Sequence, residues 1–156
     1  MKLKYGKFQI LLEIIGIMVL LAFFIFIITS WGDIPERIPG HYNGLGEIDR
    51  WVSKSQILVP PIIGLLMYLG LTIITFFPKI WNVPSGKKEE NKNAIYQCAK
   101  TMIIVLKVEI ISAFFYITFH SANSLELPKA FLPIELFIIF GSLIFFTARS
   151  FYLGKK

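Results

Sequence analysis

Residues 8–29 read FQILLEIIGIMVLLAFFIFIIT, a run in which Glu13 is the single charged residue. A helix of roughly 20 apolar residues spans the ~30 Å hydrocarbon core of a bilayer, so this stretch is long enough to cross one. It is about twice as long as the apolar part of a secretory signal, and Thr29-Ser30-Trp31 makes a poor cleavage site, so the segment is read as a retained anchor. Working outward, three more apolar runs of similar length occupy residues 56–77, 98–120 and 131–153. The whole chain agrees: of 156 residues, 55% are hydrophobic and only 17% charged. A soluble fold of this size keeps too much of its surface in water to hide that much apolar side chain. A disordered tail needs low hydrophobicity, and a disulfide scaffold needs paired cysteines where only Cys98 is present. The expected fold is an all-α integral membrane protein, a four-transmembrane-helix bundle forming one membrane domain over residues 1–156.

The net charge of +6 is distributed along the chain in a way that argues for topology and against nucleic acid. Lys2, Lys4 and Lys7 precede the first span, and Lys79, Lys87, Lys88, Lys92 and Lys100 lie between or beside the second and third. Arg149, Lys155 and Lys156 close the chain, whereas the remaining two connections hold only Arg37, Arg50, Lys54 and Lys129. Basic residues near span ends are retained in the cytoplasm, which predicts both termini and the 78–97 connection inside, and a long extracytoplasmic loop, residues 30–55, outside. The expected location is the bacterial plasma membrane, multi-pass. The Lys87–Lys92 run reads as a solvated connection and Cys98 as a buried thiol.

Ionisable residues inside spans are costly unless they pair, face the bundle interior or reach the interface. Here they are Glu13, Lys107, Glu109, Glu135 and Arg149. Lys107 and Glu109 are two residues apart, about 200° around a helix, so they point in nearly opposite directions and do not satisfy each other. Lys107 is expected to snorkel toward the cytoplasmic face. Helical periods from Glu109 reach Ser112, Tyr116 and His120; Glu135, Ser142 and Arg149 share a face of the fourth span, and Gly64, Tyr68, Thr72 and Thr75 one of the second. These stripes predict close helix packing around a partly polar interior. The partner of Glu109 is not legible.

The outer loop carries the strongest signal. A connection of that length exceeds what helix bundles need, and such loops tend to be functional. Pro35 and Pro39 favour extended geometry, Asn43-Gly44 and Gly46 supply turn positions, and Ser53 with Gln56 matches a capping box for the second span. Trp31, Tyr42 and Trp51 have amphipathic rings suited to a membrane interface. His41, Asn43, Asp49 and Lys54 remain as groups able to bind a ligand. His41 and His120, with Asp49 and Glu126, are chemically adequate for zinc but lack any diagnostic spacing, and no metal or cofactor is expected.

The string Ile38-Pro39-x-His41-Tyr42-Asn43-x-x-Gly46-x-x-Asp49-x-Trp51-x-x-Lys54 resembles the signature of the domain of unknown function 1648 family of small bacterial membrane proteins. The same type of domain forms the N-terminal part of the SdpI toxin-immunity and signalling protein. Phe77-Pro78-Lys79 and Leu106-Lys107-x-Glu109 followed by Tyr116 are similar to further stretches of that family. This chain lacks the additional C-terminal spans of SdpI and has Tyr42 where the family usually has Phe, so the resemblance carries over the fold and the importance of the loop.

The expected function is binding, immunity or sensing, with an extracytoplasmic peptide or lipid recognised by His41, Tyr42, Asn43, Asp49, Trp51 and Lys54 and by the polar track Glu109, Tyr116 and His120. The alternative is a small transporter or proton-coupled exporter using Glu109. No nucleophile elbow, metalloprotease helix or paired-carboxylate signature marks an enzyme. The partners expected are the bilayer, a secreted toxin peptide or lipid head group, and further copies of the chain.

Overall fold

The computed structural model describes residues 3–84 and 89–155; Lys2, Lys87, Lys88 and Lys156 of the basic clusters above lie outside the described residues. The order of elements is α1 (Lys7–Ser30), β1 (Arg37–Tyr42), β2 (Ile48–Ser53), α2 (Val59–Thr75), α3 (Glu89–Ala122) and α4 (Phe131–Lys155). A 3₁₀ turn, Lys54–Leu58, leads into α2. Among the described residues four helical stretches, Lys7–Ser30, Lys54–Thr75, Asn91–Ala122 and Phe131–Lys155, are long and apolar enough to cross a membrane.

Helix α3 is the axis of the molecule, and α1, α2 and α4 each pack chiefly on it. Gln9 of α1 meets Gln97 and Thr101 of α3, and Phe26 meets Phe119, so α1 and α3 run parallel. Glu109 of α3 meets Ser142 of α4, and Tyr116 meets Phe131, so α4 runs back antiparallel. The start of α1 and the end of α4 therefore lie at one end of the bundle and the β1–β2 segment at the other. Large apolar side chains such as Met18, Ile28, Leu66, Phe137 and Ile144 point outward. No water competes for backbone bonds in a bilayer, and an apolar exterior of this kind suits lipid.

Two expectations about the connections are corrected. The fold is not all-α: the 30–55 segment contains an antiparallel hairpin, because Arg37–Tyr42 and Ile48–Ser53 flank an Asn-Gly turn and pair as β1 and β2. The 78–97 connection is shorter than expected, since Asn91, Lys92, Asn93 and Ala94 continue α3 outward from the apolar run and no proline interrupts it. The expected capping box is also absent. Ser53 caps nothing with its side chain; its hydroxyl meets that of Ser55 at 3.0 Å, and the helix instead starts through Pro60 and Pro61, which need no donor partner there.

The C-terminus of α3 is closed by a Schellman motif. Leu125 N–H donates to His120 O at 2.9 Å, Ser124 N–H donates to Ser121 O at 3.1 Å, and Ser124 takes a left-handed φ of 54°. This stop directs the chain toward α4 and leaves Leu125–Pro128 facing the hairpin tip.

Candidate functional site

The hairpin is tied to the bundle at three points. Ser121 Oγ donates to Pro39 O at 2.6 Å, Tyr42 Oη donates to Leu125 O at 3.1 Å, and Leu127 N–H donates to Gly46 O at 2.9 Å. Gly46 has φ +82°, and a side chain there would run into the Leu127 backbone, so glycine is required twice over. Ile34 and Ile38 are buried with Phe23 and Ile27 of α1, Ile57 and Ala122, joining the hairpin base to the helix ends. Burial pushes the Tyr42 phenol up to about 12.

Asn43 builds the hairpin tip. Its Oδ1 accepts from Leu45 N–H at 2.9 Å and from Glu47 N–H at 3.0 Å, while its Nδ2 donates to Glu47 at 2.8 Å. Its groups are spent on turn structure. Lys54 stands over the Trp31 ring, 5.1 Å from its centroid, and Trp51 is exposed on β2.

The strand register breaks between Pro39 and Tyr42, leaving Gly40 and Asp49 without ladder partners. Across this irregularity His41 Nδ1 meets Asp49 Oδ1 at 2.7 Å. An exposed pair of this kind is worth only about 0.2–1 kcal/mol, so what it supplies is orientation. The carboxylate accepts from Nδ1 and turns Nε2 outward for another group, the arrangement used wherever an imidazole must present one nitrogen in a fixed direction.

Beneath the hairpin lies a cavity of about 430 Å³. The exposed His41 stands at its rim with Tyr42 and Gln56, and Ile38, Ile57 and, from the α3–α4 corner, Thr118, Leu127, Phe131 and Leu132 wall it. Its volume falls within the ~300–1,000 Å³ usual for small-molecule sites, and its lining is mainly apolar with a few polar groups, as such sites require. Of the sequence-expected residues, the structure brings His41, Tyr42 and Asn43 to this cavity and Asp49 behind His41.

The others stand apart from it. Tyr116 stacks on Phe131, ring centroids 4.9 Å apart, and its carbonyl meets Nδ1 of His120 at 3.0 Å. Glu109 accepts from Ser142 Oγ across the α3–α4 seam. One oxygen of Glu109 and one of Glu135 are buried there without a hydrogen-bond partner among the described residues. Among the described residues no group of three or more His, Cys, Asp or Glu side chains gathers as a metal site would need.

Lys107 does not snorkel. It is fully buried, and its Nζ donates to both Glu13 oxygens, at 2.8 and 2.7 Å, and to Thr72 Oγ1 at 2.9 Å. Tyr68 Oη donates to the same carboxylate at 3.0 Å, and the Lys107 ammonium sits 4.2 Å from the Tyr68 ring centroid. Gly16 lets α1 approach Tyr68 and Val108 closely enough for this network to close. The sequence stripe on α2 is thus the receiving face for a charge pair between α1 and α3.

Sequence inspection missed Thr118 and Ser121. A threonine and a serine near the end of an apolar helix carry no signal until the hairpin is placed over them.

Comparison with known proteins adds a family. A model described as "Domain of unknown function (DUF1648)" matches residues 17–65, from within α1 through the hairpin into α2. An uncharacterized protein of Archaeoglobus fulgidus is 29% identical over 158 residues, covering 90% of this chain and 85% of that one. No solved structure matches this chain. Over residues 17–65 this helical chain, which has four stretches among its described residues long and apolar enough to span a membrane, is therefore similar to the domain of unknown function 1648.

Proposed function

We propose that the protein is a membrane-embedded binding protein of the immunity or sensing kind, which captures an amphipathic extracytoplasmic ligand, a peptide or a lipid, in the cavity beneath the hairpin. The observation that carries this reading is the His41–Asp49 pair at the rim of a largely apolar cavity of about 430 Å³. A ligand head meets the oriented imidazole, and its apolar part displaces water from the wall of Ile38, Ile57, Phe131 and Leu132. The basic residues Lys4, Lys7, Lys79, Lys92 and Lys155 at the opposite end support a cytoplasmic position for the termini, which puts the hairpin outside the bacterial plasma membrane.

Native mass spectrometry on protein released gently from membranes tests the reading. The wild type is expected to retain a species that His41→Ala/Asp49→Ala loses; equal occupancy in the two proteins sinks it.

The oxygens of Glu109 and Glu135 that have no partner among the described residues support a second reading, a proton-coupled exporter in which the α3–α4 seam carries protons. Under that reading Glu109→Gln abolishes pH-dependent flux in reconstituted vesicles. Full flux in that variant removes it.

A further inference from the structure

Thr118 differs from four other threonines of the helices. Thr29, Thr72, Thr75 and Thr101 each donate to a backbone carbonyl three or four residues earlier, the usual way a helical threonine satisfies its hydroxyl in an apolar setting. Thr118 is 1% exposed, its Oγ1 has no hydrogen-bond partner among the described residues, and it lines the cavity. A buried hydroxyl without a partner is destabilising, and a ligand acceptor that meets Oγ1 after a turn about χ1 toward the cavity recovers the missing bond.

The level of the cavity narrows the ligand. It is walled by the first residues of α2 (Val59, Pro60), the last turns of α3 (Ile117, Thr118, Ser121) and the first residues of α4 (Phe131, Leu132). These are span ends, where the interface of a bilayer would lie. Helices α2 and α4 both line the cavity while packing mainly on α3 rather than on each other, which leaves a way out of the cavity between them. A polar edge at His41, an unpartnered hydroxyl at Thr118 and apolar walls match the head, ester carbonyl and hydrocarbon chain of a lipid. The charges around the hairpin, Arg37, Arg50 and Lys54 against Asp33, Glu36, Glu47 and Asp49, nearly cancel, and exert no strong selection on the charge of the head.

We infer that the cavity is a lipid site: Thr118 Oγ1 donates to an acyl ester carbonyl while the chain leaves between α2 and α4 into the bilayer. This rests on the binding reading above and specifies its ligand class. No bond is made or broken.

The test is photo-crosslinking of the full chain in phosphatidylethanolamine/phosphatidylglycerol vesicles containing a phospholipid with a diazirine on one acyl chain. Labelled peptides are mapped by mass spectrometry against the outward face of α1, including Ile14, Met18 and Leu21, as the lipid-facing reference. Labelling of residues 57–60 and 117–132 several-fold above that reference is expected. Thr118→Phe, which fills the cavity, returns it to the reference level, and Thr118→Val, which keeps the shape and removes the donor, lowers it about fivefold, the equivalent of one neutral hydrogen bond. Leu132→Trp repeats the filling from α4 in case Thr118→Phe does not fold. Cavity labelling no greater than on α1, or unchanged in both filled variants, overturns the lipid assignment. If that happens while His41→Ala/Asp49→Ala still loses a non-lipid species, such as a peptide, the lipid class falls and the binding reading stands; if nothing is lost, both fall.

Discussion

Replacing Lys107 by methionine removes the ammonium that three other side chains are arranged around. In the native protein Nζ lies within 2.7–2.9 Å of both Glu13 oxygens and of Thr72 Oγ1, and the lysine is completely buried. The variant leaves the Glu13 carboxylate, whose side chain is only 17% exposed, with the Tyr68 hydroxyl as its remaining partner. Breaking a buried pair by deleting one member costs about 3–5 kcal/mol, because the survivor is a desolvated charge. Glu13→Leu should lose a similar amount for the opposite reason. The double variant removes both charges, and an apolar pair of similar volume is expected to return stability to within about 1 kcal/mol of wild type. Reversible unfolding in mixed micelles, titrated with sodium dodecyl sulfate and followed by circular dichroism, measures all four proteins in one cycle. A Lys107→Met protein within about 1 kcal/mol of wild type, or a double variant no more stable than the singles, would refute the claim that this pair holds α1 and α3 in register.

Other consequences concern the hairpin and its dock. Gly46→Ala places a side chain at φ +82° against the Leu127 backbone, and should destabilise the protein by about 1–2 kcal/mol or more and raise amide exchange at Leu127. Ser124→Gly relieves a left-handed serine at φ 54° and should stabilise by up to about 1 kcal/mol, with no change in the exchange of the hairpin. The Tyr42 phenol, raised from 10.0 to about 12, favours its neutral form in the folded protein. Its contribution to stability is complete below pH 10 and is lost as pH rises through about 12, so wild type should lose stability relative to Tyr42→Phe across that window, read from unfolding midpoints. Below it, Tyr42→Phe should be the less stable by about 0.5–1.5 kcal/mol, having lost its bond to Leu125 O.

The four apolar helices were legible because hydrocarbon thickness translates directly into run length, and the Gly64, Tyr68, Thr72 and Thr75 stripe was legible because 3.6-residue periodicity survives in a packed helix. Its partner was not. Glu13 and Lys107 are 94 residues apart, and only the parallel packing of α1 on α3 brings them together. The same limit hid the partner of Glu109, since Ser142 reaches it across an antiparallel seam. In the loop, Pro39, Asn43 and Gly46 announced turns and extended backbone, yet the two strands were missed, because a six-residue strand with a proline and a glycine inside it has no clean alternation. His41 and Asp49 were picked out singly by their chemistry, and the hairpin made them a pair. Asn43 was picked out for the same reason, and its side chain is bonded within the hairpin tip. The cavity had no linear signature at all: its lining comes from both strands and the tip of the hairpin, the turn before α2, α2 itself, the end of α3, the α3–α4 connection and the start of α4.

The most direct measurement is a high-resolution structure of the protein purified from its own membranes under conditions that keep bound lipid. The binding account predicts continuous density inside the cavity, within hydrogen-bond reach of Thr118 Oγ1 or His41 Nε2 and bounded by Phe131 and Leu132. A cavity closed by collapse of the hairpin onto α4, or one holding only water, would contradict it.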